Sequence, residues 1–548
     1  MLPLEAVRLE RFAVTGGIWL VTVLAWAAVT VWIERDARSI FGRSLPWKTL
    51  FVALGAAVLL GSYQLGQTAL PFLVPLVVLA GVAYILGREA VAAPHARLIP
   101  IDALGEGLRR AIRVTGLEGW LQRIRGNDSL TGSMQLAGPS VVLLKKDGSI
   151  YSGDAGRGGN RELSQAIFAA QGILADAVAK RATDMHFEPK TGKDVQVRYR
   201  IDGMMQTMHI LPAEAGRAII SALKVVGDMD IAEKRRPQDG TFAVLADGRK
   251  FDVRAASGPT NFGEKMALRL LDAGGGIVKG GLGGLGMRDS TVQALRGIIH
   301  RAHGMLIVCG PTGSGKTTTV YGALSEIDVL SRNIVTIEDP IEYRLDNISQ
   351  TAVNNAAELT FAKILRSTLR QDPDVILVGE VRDKETAEIA MQAALTGHFV
   401  FTTLHANDTA TTVTRLLDIG IDATLIQSAV TAVLAQRLVR LLCPECKEAY
   451  RPPPELLRRL GLPGDKVPVL YKEVGCPECH GTGFRGRTGV YELMVFDTAI
   501  RNLLVGRPSI EMIRDVARKN GMRTLLRQAL VKACEGVTSI SEAERVTQ

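Results

Sequence analysis

Charge is missing from much of the first 90 residues of this 548-residue chain. Between Arg11 and Glu34 lie 22 residues without a charged side chain, and between Lys48 and Arg88 lie 39 more. Neither run carries the polar stripe of an amphipathic surface helix. The first is too long for a signal peptide, lacks a small-residue cleavage site and passes into Trp32-Ile33-Glu34-Arg35, which argues against a cleaved leader. A helix needs about 20 apolar residues to cross a bilayer. Residues 13–33 therefore read as one span. Residues 49–87 read as two spans (49–66 and 69–87) split by "GSYQLGQT", or as a re-entrant hairpin. Arg35, Arg38, Arg43 and Lys48 fill the 34–48 loop, the 61–68 turn has no basic residue, and Arg97, Arg109, Arg110 and Arg113 follow Arg88. This asymmetry predicts a multi-pass anchor over 1–88, in contact with a lipid bilayer, with the C-terminal part in the cytoplasm.

Other scarcities narrow the field. The net charge is only +9, "KRR" (234–236) is the densest basic run, and no stretch interleaves aromatic with basic residues. A solvated surface fits better than a nucleic-acid partner. Six cysteines do not make a disulfide framework in a reducing compartment. Four of them form two "CPEC" pairs, Cys443 with Cys446 and Cys476 with Cys479, 29 residues apart. That pattern suits a tetrahedral, structural metal site for Zn²⁺, with redox chemistry as the weaker alternative. Cys309 and Cys534 read as packing residues.

Residues 89–160 form a linker or adaptor region, with a helix at 103–125 and a strand pair turning at Asp147-Gly148. Residues 161–273 combine helical periodicity with alternating strands and predict a compact α+β domain. Residues 274–286 are a Gly-rich linker, within "AGGGIVKGGLGGLG". From 287 to 435, the runs "GMLIVCG", "NIVTIED", "DVILVGE" and "HFVFTTLH" alternate with helical segments. This is the pattern of a mostly parallel α/β sheet with ligands at its carboxyl edge. A cysteine subdomain (436–490) and a helical region (491–548) complete the chain.

The phosphate-binding pattern G-x-x-x-x-G-K-T runs through Gly310, Pro311, Thr312, Gly313, Ser314, Gly315, Lys316 and Thr317, with Thr318 beyond. It follows a strand and opens a helix, the context that lets backbone N–H groups and the helix N-terminus meet phosphate. Lys316 supplies charge to the terminal phosphates, and the Thr317 hydroxyl suits Mg²⁺. ATP is the expected nucleotide. Glu338, Asp339 and then Glu342 close one strand; Glu380, Arg382 and Asp383 close another. Phosphoanhydride hydrolysis needs an acid near Mg²⁺ and a group that orients water. The residues alone do not divide those roles. His405 ends a further strand and points to the same edge; His398 begins it. Among Arg198, Arg200, Arg236, Arg254 and Arg269, the strand-borne Arg254 and Arg269 are candidates to complete the site from the preceding domain.

These motifs resemble the type II secretion and type IV pilus assembly ATPases (GspE/PilB-like). The resemblance covers about residues 160–548. "ATDMHFEP" and "RPQDGTF" match the domain before the core. "GPTGSGKTTT", "IEDPIEY", "LRQDPDVILVGEVRD" and "TGHFVFTTLHAND" match the core itself, and "LAQRLVRLLCPEC" leads into the tetracysteine module. The resemblance implies a RecA-like P-loop core preceded by a PAS-like α+β domain. It also implies a homohexameric ring at the bacterial inner membrane that moves a platform protein and assembles pilins or pseudopilins. By the same resemblance Glu338 would polarise the attacking water, and Glu380 would serve the Mg²⁺ shell with Thr317. His405 would read the γ-phosphate, and Arg254 and Arg269 would reach the nucleotide as the domains close. The tetracysteine module favours the assembly or secretion branch. The alternative is a conjugation-type or nucleic-acid-translocating ATPase, which DNA-stimulated turnover with steep salt dependence would reveal.

Overall fold

The computed structural model describes residues 141–145, 148–151, 161–191, 194–272, 280–459, 461 and 469–547. The first sheet is built from β1 (Val141–Leu144), β2 (Ala182–Pro189), β3 (Asp194–Ile201), β4 (Met204–Pro212), β5 (Gln238–Ala246), β6 (Arg249–Thr260) and β7 (Gly263–Asp272), with helices α1 (Arg161–Ala179) and α2 (Ala213–Val226). Its order is β1-β5-β6-β7-β2-β3-β4, antiparallel throughout. Strict alternation drives this layer. Val195, Val197, Tyr199 and Ile201 turn inward along β3, and the residues between them stay accessible.

A partly buried polar knot ties α1 to this sheet. Tyr199 Oη donates to the Ile173 carbonyl at 2.9 Å, and His209 Nε2 lies 3.2 Å from Tyr199 Oη and 3.1 Å from Asp176 Oδ2. Burial alone would raise the Asp176 carboxyl. The hydrogen bonds from His209 and Lys180 outweigh it and hold the group at about 2. A depressed carboxylate stabilises the fold above its unfolded value, and that contribution disappears as pH falls through the folded one. Asp176→Asn is therefore expected to cost about 1 kcal/mol at pH 7, discounted for partial exposure. In denaturant titrations the difference from the parent should shrink as pH drops from about 4 towards 2.

The second sheet contains β8 (Gly304–Cys309), β9 (Ile334–Glu338), β10 (Ser349–Ala352), β11 (Val375–Val378), β12 (Phe399–Leu404), β13 (Val430–Leu442) and β16 (Phe484–Val495); β14 (Glu448–Tyr450) and β15 (Leu470–Lys472) make a separate hairpin in the cysteine region. The order is β10-β9-β11-β12-β8-β13-β16, parallel except for the β13/β16 edge pair. Every residue of β8, β11 and β12 is buried, because helices cover both faces. Met305, Ile307 and Cys309 join one core, while Leu306 and Val308 join the other with Phe399 and Phe401. The helices used below are α3 (Asp289–Ile299), α4 (Lys316–Leu324), α5 (Phe361–Thr368), α6 (Lys384–Leu395), α7 (Thr409–Asp418) and, after β16, α8 (Thr498–Leu504), α9 (Ile510–Lys519), α10 (Leu525–Cys534) and α11 (Ile540–Thr547). Their starts are written locally. Thr360, Asp383 and Asp408 cap α5, α6 and α7 through side-chain oxygens that accept backbone N–H groups three residues on.

The second half of the Gly-rich stretch is a 3₁₀ turn, Leu282–Leu285, whose two leucines enter the core while Gly283 and Gly284 stay exposed. Glu326 accepts the Leu282 N–H at 2.9 Å, Tyr491 Oη donates to the Leu285 carbonyl at 3.1 Å, and Lys532 Nζ donates to the Gly286 carbonyl at 2.9 Å. Gly286 sits at φ +76°, and a Cβ there would meet Thr488 Oγ1 at 2.1 Å, so the turn accepts only glycine at its end.

The expectation of a multi-pass inner-membrane protein is corrected. Among the described residues no helix is long and apolar enough to cross a membrane. The longest of them, α1, has 19 residues and carries Glu162 and Asp176, whereas a span needs about 20 apolar residues in succession. The runs that prompted the expectation, 13–33, 49–66 and 69–87, lie outside the described residues, as does the helix expected at 103–125.

Candidate active site

Four parallel strands deliver their carboxyl ends to one edge of the second sheet. β8 runs into the Gly310–Gly315 loop, β9 ends on Glu338, β11 is followed by Gly379-Glu380, and β12 by His405. Across from this edge stands the first sheet. Between the two lies a cleft of about 960 Å³ that is lined by loop residues Thr312, Gly313, Gly315, Lys316, Thr317 and Thr318, by Glu338, Glu342, Glu380 and His405, and by Arg254 and Arg269. Glu338, Glu342, Glu380, His405 and the two arginines singled out in the sequence thus share one cavity with most of the phosphate loop; Gly310, Pro311 and Ser314 do not line it.

The loop is shaped by its neighbours. A Cβ on Gly310 would meet Ser314 Oγ at 2.5 Å and the Gln436 carbonyl at 2.7 Å, and Gly315 opens α4 at φ +87°. Buried Gln436, on β13, donates from Nε2 to the Ser314 carbonyl at 2.6 Å and so braces the loop from behind. Lys316 Nζ donates to the loop's own carbonyls, Gly310 at 2.9 Å and Pro311 at 3.2 Å. Burial pulls this ammonium below its ordinary value. The free N–H groups at the start of α4 and the lysine form an anion cradle.

The acidic residues are not equivalent. Glu338 is only 3% exposed, and its carboxylate accepts three hydrogen bonds: Tyr321 Oη donates to Oε2, while Thr336 Oγ1 (2.6 Å) and Gln350 Nε2 (3.1 Å) donate to Oε1. Glu342, four residues on and past the strand, has one buried oxygen with no hydrogen-bond partner; that oxygen lies 3.4 Å from Arg254 Nη2. Arg254 Nη2 also donates to the Ile341 carbonyl at 2.8 Å. Glu380 pairs with Arg382 and stands 3.7 Å from His405 Nε2. Burial, then the Lys316 charge, lowers the His405 imidazole below its ordinary value, so the ring is neutral near pH 7. His398 lies at the opposite end of β12, where its Nδ1 meets the Ala393 carbonyl.

The first sheet presents a row of charges. Arg254 pairs in register with Arg269, Arg269 with Asp184, and Asp184 with Arg200 across β6, β7, β2 and β3. In-register residues share a face, and two arginines directly opposite each other repel unless an anion lies between or above them. Asp184 takes Arg269 Nε at 3.0 Å and Arg200 Nε at 3.3 Å, and Arg254 reaches across to Glu342. Sequence reasoning had singled out Arg254 and Arg269. It passed over Gln436, Tyr321 and Gln350, whose roles depend on contacts between distant strands, and over Arg487, a cleft residue on β16.

The cysteines meet in a separate module between β13 and β16. The sulfurs of Cys443 and Cys476 are 3.8 Å apart, those of Cys446 and Cys479 3.8 Å, those of Cys476 and Cys479 3.7 Å, and all four lie within 4.8 Å of one another. Tetrahedral Zn–S bonds of about 2.3 Å place sulfurs about 3.8 Å apart, so the donor set fits a metal of that kind. Burial works against ionisation of Cys479, but N–H groups of Cys476 (3.1 Å) and Gly483 (3.2 Å) donate to its sulfur and bring the thiol down to about 6.

A parallel sheet with a phosphate loop after β8 and acidic groups at the neighbouring strand ends defines a P-loop ATPase. Residues 161–545 match the family described as Type II/IV secretion system protein. The chain is 41% identical over 453 residues to "Type II secretion system protein E" of Pseudomonas aeruginosa, covering 82% of this chain and 88% of that one. It is 44% identical over 372 residues to "Type IV pilus assembly ATPase PilB" of Thermus thermophilus, covering 68% of this chain and 42% of that longer protein. The X-ray structure of the Yersinia pseudotuberculosis ATPase DotB shares the fold, with a TM-score of 0.50 at 19% identity over 69% of this chain and 92% of that one. The protein belongs to the Type II/IV secretion system protein family.

Proposed function

We propose that this protein is a motor that hydrolyses ATP to drive assembly of a type IV pilus or a type II secretion pseudopilus. The observation that carries the reading is the single cleft in which the phosphate loop, the acidic strand ends and an arginine row from the other sheet face one another. The names of the matched relatives support the biological setting. Family resemblance supports a homohexameric ring and an inner-membrane platform protein as partner.

ATP would settle with its phosphates on the α4 cradle, where Lys316 leaves the loop carbonyls for the terminal phosphates. Thr317 and Glu380 would hold Mg²⁺, which supplies neutralising charge to the phosphate oxygens when bound. His405, neutral and beside Glu380, suits a sensor of the γ-phosphate. Glu342 is the better candidate than Glu338 to orient the attacking water, because three hydrogen bonds already hold the nearly buried Glu338 carboxylate, whereas Glu342 keeps an oxygen without a hydrogen-bond partner. Arg254 now faces Glu342; when a γ-phosphate enters, that guanidinium has a stronger anion to meet, and Glu342 is released for water. The arginine row would thereby link nucleotide state to the approach of the two sheets. The four cysteines would hold Zn²⁺ as a structural staple.

Lys316→Ala is expected to lower ATP turnover of the purified full chain by about 10²–10³-fold. In a strain deleted for the gene, the parent protein should restore surface fibres or protein export and Lys316→Ala should not. Wild-type turnover in that variant would remove the basis of the proposal.

A further inference from the structure

We infer that Tyr321 and Gln350 are positioning residues that suspend the Glu342 loop from the phosphate-binding helix. The inference rests on the reading of Glu342 as the water-orienting group.

Tyr321 lies in α4, the helix that Lys316 opens, and is fully buried. Its ring fills the core beside Leu324 and Leu285, work that a phenylalanine would do as well. The hydroxyl is the part that needs a reason, since a buried polar group costs stability unless it is paired. It donates to Glu338 at the end of β9. Gln350, on β10, continues the chain of contacts. Its Nε2 donates to Glu338 Oε1 at 3.1 Å and to the Tyr343 carbonyl at 3.0 Å, and its Oε1 accepts the Leu345 N–H at 2.8 Å. The Tyr343 ring meets the Tyr321 ring edge to face, with centroids 6.1 Å apart.

The consequence is geometric. The segment that carries Glu342 leaves β9 at Glu338, which Tyr321 holds, and is fixed again at Tyr343 and Leu345, which Gln350 holds. It is held as well at the Ile341 carbonyl, by Arg254 from the other sheet. Glu342 therefore sits between a neighbour pinned to the first sheet and a neighbour pinned, through Gln350 and Glu338, to the helix that binds phosphate. A shift of α4 on nucleotide binding would reach Glu342 through bonded groups, without passing through solvent. A misplacement of about 1 Å at a reacting group can cost 10²-fold in rate, so the network has leverage on turnover that its distance from the phosphates would not suggest.

The test uses the full chain with Tyr321→Phe, Gln350→Leu and Glu342→Gln, singly and with Tyr321→Phe combined with Glu342→Gln. Turnover, KM for ATP, ADP affinity by fluorescence titration and thermal midpoint are measured for each. Tyr321→Phe and Gln350→Leu are each expected to lower kcat about tenfold or more, with KM and ADP affinity within about twofold of the parent. The combined variant should be no slower than Glu342→Gln alone. Unchanged kcat in both single variants would overturn the inference. So would a joint loss of kcat, nucleotide affinity and thermal midpoint, which marks a structural post, and so would additive losses in the combined variant. Should Tyr321→Phe fail to fold, Gln350→Leu decides alone. Full turnover in Glu342→Gln would instead defeat the underlying reading of that residue.

Discussion

Glu342→Gln is expected to lower kcat by about 10²–10⁴-fold, the range for a positioned group that handles a proton or orients water, while leaving nucleotide affinity and stability near the parent's. Glu338→Gln should behave differently. Its carboxylate accepts from Tyr321, Thr336 and Gln350, and an amide there sets a donor among donors. The cost is about 1–3 kcal/mol of stability, and the rate loss is secondary to a displaced loop. Steady-state kinetics beside denaturant melts separate the two. If Glu338→Gln stopped turnover with stability intact while Glu342→Gln kept it, the roles would revert to those implied by the resemblance.

Metal removal is expected to produce the other large effect. Among its described residues the cysteine module has little core of its own. Leu470 packs with Ala533 and Ile540 of the terminal helices, Leu442 N–H donates to the Val537 carbonyl at 2.9 Å, and Lys447 Nζ donates to Gly536 O at 3.2 Å. Structural zinc supplies about 10–16 kcal/mol of binding in small finger peptides. Chelation, or Cys446→Ser, should therefore unfold the module and loosen α10 and α11, lowering the thermal midpoint by about 10 °C or more. Calorimetry with metal analysis checks this. A protein that binds no stoichiometric metal, or that melts unchanged after chelation, would show the sulfurs to be a packed thiol cluster.

The parallel core was legible because its strands are continuous apolar runs that stop at glycine or acid, and such runs mean burial on both faces. The same property hid the difference between the two carboxylates that flank the β9 turn. A residue at the end of a strand inside the sheet is largely enclosed, so Glu338 borders the cleft while Tyr321 and Gln350 hold its carboxylate. Glu342, after the turn, lines the cleft with Glu338 and Glu380 but keeps an oxygen without a hydrogen-bond partner. Arg254 and Arg269 could be picked out as strand-borne arginines, but their alignment with Asp184 and Arg200 is a matter of register across four strands. Pattern within a single strand does not carry that information. Gln436 and Gln350 gave no signal, since a glutamine in an apolar strand or on an edge reads as a chance polar residue until its partner appears. The membrane expectation was drawn from composition in a segment outside the described residues, and no described helix supports it.

β13 and β16 remain hydrogen-bonded from Ala432 opposite Val495 to Leu442 opposite Phe484, with residues 443–483 between them. The whole cysteine module is thus the loop of one hairpin. Closing a flexible loop costs only about 0.6 kcal/mol more for each doubling of its length. Replacing those residues with a short turn would alter the closure cost by about 2 kcal/mol and leave the strand register untouched. On closure entropy alone the ATPase sheet would tolerate the loss of this module; what such a loss would disturb is the packing of α10 and α11 against it.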